Sequence, residues 1–111
     1  MVSHEHSDPE FEKLEAEGYP RPNTPEEALT YAADSLRRAR ELFDPKTMKF
    51  SNEPDAPRKA RIYADSTLLS LQDAEHLNKT DAPLADNEIR AEVWQLIERL
   101  NEKEAQQQGA E

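Results

Sequence analysis

The sequence predicts an all-α protein, folded as a small up-down-up three-helix bundle with flexible ends. Three observations indicate this fold. Apolar residues recur at helical spacing in three segments, capping residues or prolines precede those segments, and no segment shows the alternation of a β-strand. The chain has 111 residues, which is enough for one domain.

Residues 1–23 are predicted to form a mostly flexible acidic arm, with six acidic and two basic residues and three of the eight prolines. A short extra N-terminal helix remains open. Pro9 follows a capping Asp8 and suits a first helical position, and Phe11 and Leu14 would then share one side.

The first helix is predicted at about 25–43. Thr24 supplies a capping hydroxyl before Pro25, and proline at position 45 disfavours helix in the residue before it. One apolar stripe recurs at steps of three and four residues. The stripe consists of Leu29, Ala32, Leu36, Ala39 and Phe43.

The second helix is predicted at about 57–78 and is apolar on two sides. Ile62 and Leu69 lie seven residues apart and share a face that points away from the main stripe. A central helix, covered on more than one side, has this pattern. The main stripe consists of Ala60, Ala64, Leu68, Leu71 and Ala74.

The third helix is predicted at about 87–105, with Asp86 as its cap and a flexible tail over 105–111. The helical bundle therefore spans 24–104. The core stripe of this helix steps by four, three and four residues. It consists of Ile89, Val93, Leu96 and Leu100.

The charge distribution narrows the choice of partners and of location. The formal net charge is −10, with eight acidic and three basic residues in 80–111 alone. Acidic ends repel phosphate, so direct binding to nucleic acid or to an anionic membrane is disfavoured. The N-terminal residues lack an apolar run, and no stretch reaches the ~18 apolar residues of a membrane span. We therefore expect a cytoplasmic protein.

The sequence predicts neither catalysis nor a bound cofactor or metal. There is no cysteine, and the two glycines lie in the tails, which removes thiolate chemistry and phosphate-binding loops. Ser66 and Ser70 lie within a helix and lack a nucleophile elbow. The pair His4 and His6 offers metal ligands, but a flexible arm does not preorganise them.

Trp94 is the most informative single residue. It falls about 130° from the centre of the third helix's stripe, either at the core boundary or exposed as an anchor for another protein. The first hypothesis is a non-enzymatic protein-interaction or assembly module that uses a helix face. Its partner is another protein or a second copy, as in a homodimer. The candidate partner-binding residues are Trp94, Ile97, Ile62, Leu69 and Tyr31.

An alternative is an acidic inhibitor of phage type, which imitates nucleic acid and blocks a DNA- or RNA-binding protein. Its carriers share one side of the third helix, but Arg99 lies within that side. These carriers are Glu88, Glu92, Glu98 and Glu102.

Three short stretches resemble small uncharacterised helical proteins of actinobacteria and their phages. These stretches are 26–29 (EEAL), 37–40 (RRAR) and 62–69. The resemblance covers about residues 24–79. The resemblance implies a helical fold and no catalytic assignment.

Overall fold

The computed structural model describes residues 9–19 and 21–109, which form four helices and one short β-hairpin. The all-α fold is confirmed, and the open question of an extra N-terminal helix is settled in its favour. His4 and His6, which the sequence does not favour as a metal site, lie outside the described residues. The elements are α1 (Pro9–Glu17), α2 (Pro25–Leu42), β1 (Phe43–Asp44), β2 (Lys49–Phe50), α3 (Ala56–Leu77) and α4 (Asn87–Gly109).

The first turn of α2 is capped as the sequence predicts. The Thr24 hydroxyl accepts a hydrogen bond from the backbone N–H of Glu27 at 3.0 Å. The Glu27 carboxylate reaches back and accepts from the N–H of Asn23 at 2.7 Å. Donors at the start of the helix are thereby satisfied, which fixes where α2 begins.

Helices α2 and α3 pack closely because both bury small side chains. The hydroxyls of Ser35 on α2 and Ser66 on α3 hydrogen-bond each other at 3.0 Å within this seam. Alanines allow two helix backbones to approach without a cavity. The fully buried alanines are Ala28, Ala32 and Ala39 on α2, with Ala60, Ala64 and Ala74 on α3.

Helix α4 runs antiparallel to α3 and completes the bundle. Near its start, Arg90 pairs with Glu75 of α3 at 2.6 Å, and near its end Glu104 pairs with Arg61 at 2.9 Å. Its predicted stripe is buried at Val93, Leu96 and Leu100. The helix extends to Gly109, beyond the predicted end at 105, because three of the four added residues are glutamine, which favours helix. Residues 110 and 111 lie outside the described residues.

The connector after α2 contains a β-hairpin, so the prediction of no strand is wrong here. Phe43 pairs with Phe50 across the hairpin, and their ring centroids lie 4.9 Å apart. The Asp44 carboxylate accepts a hydrogen bond from the N–H of Lys46 at 2.9 Å, and Met48 has a left-handed φ of 62°. Strands of two residues are too short to show an alternating pattern in sequence.

Arg38 ties α2 to the loop that leads into α3. Its Nη1 and Nη2 atoms donate to both carboxylate oxygens of Glu53 at 2.8 and 2.7 Å, and its guanidinium lies 5.7 Å from the ring centroid of Tyr63. Only 13% of the Arg38 side chain is exposed. A bidentate, largely buried pair of this kind stabilises more than a surface pair does.

Arg38→Ala is therefore expected to lower the free energy of unfolding by about 1–3 kcal/mol, because charged hydrogen bonds are lost. The matched control is its neighbour Arg37, whose side chain is 57% exposed and pairs with Glu41 one turn away. Arg37→Ala should cost less than about 0.5 kcal/mol. Urea unfolding of both variants measures this, and equal losses would contradict the structural role of Arg38.

Candidate functional site

Trp94 is the largest exposed apolar side chain in the described part of the chain. Its exposed fraction is 49%, compared with 39% for Leu69 and 37% for Tyr19. The indole projects from a helix that packs on the core, and about half of the side chain, 49%, remains in contact with solvent. Such aromatic groups are enriched at the centres of protein interfaces.

Two neighbours on α4 show which way Trp94 faces. Arg90 lies four residues before it and Asn101 seven after it, so the three share a side of the helix. Arg90 donates to Glu75 of α3 at 2.6 Å, and Asn101 accepts from Arg61 of α3 at 2.8 Å. Trp94 therefore borders the junction between α3 and α4. We call Arg90, Trp94 and Asn101 with Arg61 and Glu75 the Trp94 surface.

The charges of the Trp94 surface are paired. Arg90 binds both Glu75 and Asp86, and the hydrogen bond to Asp86 is the largest cause of its raised pKa. Arg61 pairs with Glu104. The indole thus lies beside two arginines that are both paired with carboxylates, a setting suited to an apolar contact with a polar rim.

Ile97, which the sequence placed beside Trp94 as a contact residue, is buried. Only 8% of it is exposed, and it belongs to the hydrophobic core. It lies four residues after Val93, on the side of α4 that packs inward. The prediction that Ile97 shares an exposed face with Trp94 is therefore wrong, because the core side of α4 is wider than its main stripe.

The other three candidate residues lie on α2 and α3 rather than on α4. Leu69 lies one turn along α3 from Asp65. Burial is the main cause of the raised pKa of Tyr19, and the charge of Asp65 raises it further. Ile62 is partly buried against the core, and Tyr31 lines a cleft beside α1. Of the three, only Tyr31 is shown beside α1, and none is among the residues that define the Trp94 surface.

The acidic candidates of α4 are spread over its outer half rather than lined up. Glu92 pairs with Arg40 at 2.6 Å, and Glu102 pairs with Arg99 at 3.1 Å. Glu88 and Glu98 are exposed. At 100° per residue, Glu92 and Glu98 are far apart around the helix. The arrangement therefore does not reproduce the regular row of charges along a phosphate backbone.

Two basic clusters, at 37–40 and 58–61, form ion pairs with acids of the same chain. In the described residues, each arginine of both predicted clusters has an acidic partner, and Lys59 lies 5.4 Å from the ring centroid of Phe11. The paired arginines of these clusters are Arg37, Arg38, Arg40, Arg58 and Arg61.

Asp65 carries a pH dependence with a defined sign. Burial raises the pKa of its carboxyl, and the charge of Arg61 only partly offsets this. Because the folded pKa lies above the unfolded one, the ionised group opposes folding, and the penalty disappears as the pH falls below both values. Asp65→Asn should therefore raise the free energy of unfolding by more at pH 7 than at pH 3. Urea unfolding at both pH values checks this, and a larger gain at pH 3 would contradict it.

A cleft of about 650 Å³ lies between α2, the hairpin and α4. Its lining contains charges of both signs, including the pairs Arg37–Glu41 and Arg40–Glu92. Among the described residues, no group of three His, Cys, Asp or Glu side chains is placed to hold a metal ion. Within the same residues, no helix has the length and apolar character to cross a bilayer.

Comparison with known protein families, curated proteins and solved structures finds no match to this chain.

Proposed function

We propose that this protein is a non-enzymatic interaction module that binds another protein through the Trp94 surface. The observation that carries this proposal is the half-exposed indole on a helix whose other large apolar residues face the core. Burying that indole in an interface would remove apolar area from water, while the surrounding ion pairs would remain at the rim.

A second copy of the chain is the alternative partner for the same surface. Each copy carries a net charge of −10, so two copies repel each other at low ionic strength. Added salt should then strengthen self-association, whereas an apolar contact with a different protein should change little with salt.

The nucleic-acid mimic is less well supported. Two of its four candidate carboxylates are already paired with arginines of the same chain. Binding through the remaining acidic surface would be electrostatic and would weaken steeply as salt increases.

The test is affinity capture from a nuclease-treated extract of the source organism, at low and high salt, with wild type and Trp94→Ala compared side by side. The proposal expects a partner that survives high salt and is lost with Trp94→Ala. Leu69→Ala is the matched control, because Leu69 is also an exposed large apolar residue and is not among the residues of the Trp94 surface. A nucleic-acid-handling protein that is released at high salt and retained by Trp94→Ala would favour the mimic and overturn the proposal.

A further inference from the structure

Helix α1 is seated in a groove between α2 and α3 that is separate from the Trp94 surface. We call this groove, lined by Tyr31, Asp34 and Ser35 of α2 and by Arg58, Lys59, Tyr63 and Ser66 of α3, the α1 groove. We propose that the α1 groove is a second interaction surface, that it accepts an acidic amphipathic helix of a partner protein, and that α1 is the internal occupant that such a helix displaces.

The contacts of Phe11 define what the groove recognises at one end. Only 3% of Phe11 is exposed. Its ring centroid lies 6.0 Å from that of Tyr63 and is approached by the Arg58 guanidinium at 5.2 Å and the Lys59 ammonium at 5.4 Å. Cations over an aromatic face favour an aromatic side chain at this position.

Two further positions complete the pattern. Leu14, three residues after Phe11, packs partly against the core. The Glu15 carboxylate, four residues after Phe11, pairs with Arg58 at 3.0 Å. Positions three and four apart lie on the same side of a helix. The groove thus selects a helix with an aromatic residue, a leucine three positions later and a glutamate one position after that.

Several features make α1 a weak occupant of its groove. It has nine residues, whereas isolated helices below about 12–15 residues are marginal in water, so its helical structure depends on docking. The described residues between α1 and α2 form neither helix nor strand, so no continuous element joins α1 to α2.

The fit of α1 is also incomplete. A cleft of about 240 Å³ remains between its C-terminal half and the side chains of Tyr31, Tyr63 and Ser66. No atom lies within 4 Å of the place that a Cβ on Gly18 would take. A partner helix with larger side chains there would fill this space and gain contacts that α1 does not make.

Exposed apolar residues extend this surface beyond the end of α1. Tyr19 lies two residues after the end of α1, and Leu69 lies one turn along α3 from Asp65, whose charge acts on Tyr19. A helix longer than α1 would meet these side chains. The occupant is therefore expected to be longer than nine residues and amphipathic.

The experiment uses the full chain with Phe11→Ala, which loosens α1, and a fluorescein-labelled synthetic peptide of residues 9–19. The labelled peptide should bind the Phe11→Ala chain at least tenfold more tightly than the wild-type chain, whose groove is occupied. A peptide that carries Phe11→Ala is the matched control and should not bind. Absence of binding to a folded Phe11→Ala chain, or equal binding to both chains, would overturn the proposal.

Hydrogen exchange in the wild-type chain keeps the test decisive if the variant does not fold. The amides of α1 should exchange at least 100-fold faster than the buried amides of α3, because α1 opens without the bundle unfolding. Equal protection of the two helices would show that α1 is a fixed part of the core. A chain that carries both Phe11→Ala and Trp94→Ala separates the α1 groove from the Trp94 surface. It should bind the labelled peptide as tightly as the Phe11→Ala chain does.

Discussion

Phe43→Ala is expected to lower the free energy of unfolding by about 3–5 kcal/mol, the range for truncating a buried aromatic residue. Phe43 is fully buried at the first position of the hairpin, directly after α2, and packs against Phe50. Its removal would leave a cavity and loosen the pairing that holds the connector. Because small domains are stable by only about 5–15 kcal/mol, the variant should be only marginally folded.

Phe50→Ala is the matched control for this prediction. Phe50 shares the hairpin pair but is only partly buried, so its truncation should cost less than that of Phe43. Urea unfolding followed by circular dichroism measures both. A loss below about 1 kcal/mol for Phe43→Ala, the average for an arbitrary substitution, would contradict a central role for Phe43 in the core.

Trp94→Ala is expected to weaken binding of the captured partner by about 30-fold or more, which corresponds to the ~2 kcal/mol that marks a hot spot. Its effect on stability should be small, because about half of the side chain, 49%, is already exposed in the free chain. The combination of a large loss of affinity and a small loss of stability distinguishes an interface residue from a core residue. Isothermal titration and urea unfolding of the same variant measure the two quantities.

Two further variants make this prediction specific. Leu69→Ala should leave the affinity within about threefold of wild type, since surface truncations outside an interface cost little. Trp94→Phe keeps a smaller aromatic group and should fall between wild type and Trp94→Ala. If Leu69→Ala weakens binding as much as Trp94→Ala does, the interface is not confined to the Trp94 surface.

The sequence predicted the helices well because their signals are local. Thr24 and Pro25 mark the start of α2 through capping chemistry that needs no other part of the fold. The stripe of Val93, Leu96 and Leu100 predicted which side of α4 is buried. In both cases, the residues that determine the local structure lie a few positions apart within one segment.

The relation between helix faces could not be predicted in the same way. Ile97 lies beside the main stripe, and only the positions of α2 and α3 determine that its side of α4 is covered. Leu69 and Trp94 both lie off their stripes, yet α4 borders one side of α3 and α1 the other. These outcomes depend on how the helices pack against one another, and the apolar spacing within one helix does not determine that packing.

The hairpin shows the limit for short elements. Phe43 continues the helical spacing of α2, but its backbone is extended, because it pairs with Phe50. The contact between Phe43 and Phe50 spans a connector that contains Pro45. Two-residue strands are too short to show a periodicity.

The most direct test of the Trp94 surface is hydroxyl-radical footprinting of Trp94 in the free chain and in its complex. Trp94 is the only tryptophan, so its oxidation is read without ambiguity, and the exposed Tyr19 serves as an internal reference. The proposal predicts that complex formation lowers the rate of Trp94 oxidation several-fold and leaves that of Tyr19 unchanged. A complex in which Trp94 is oxidised as fast as in the free chain would contradict it.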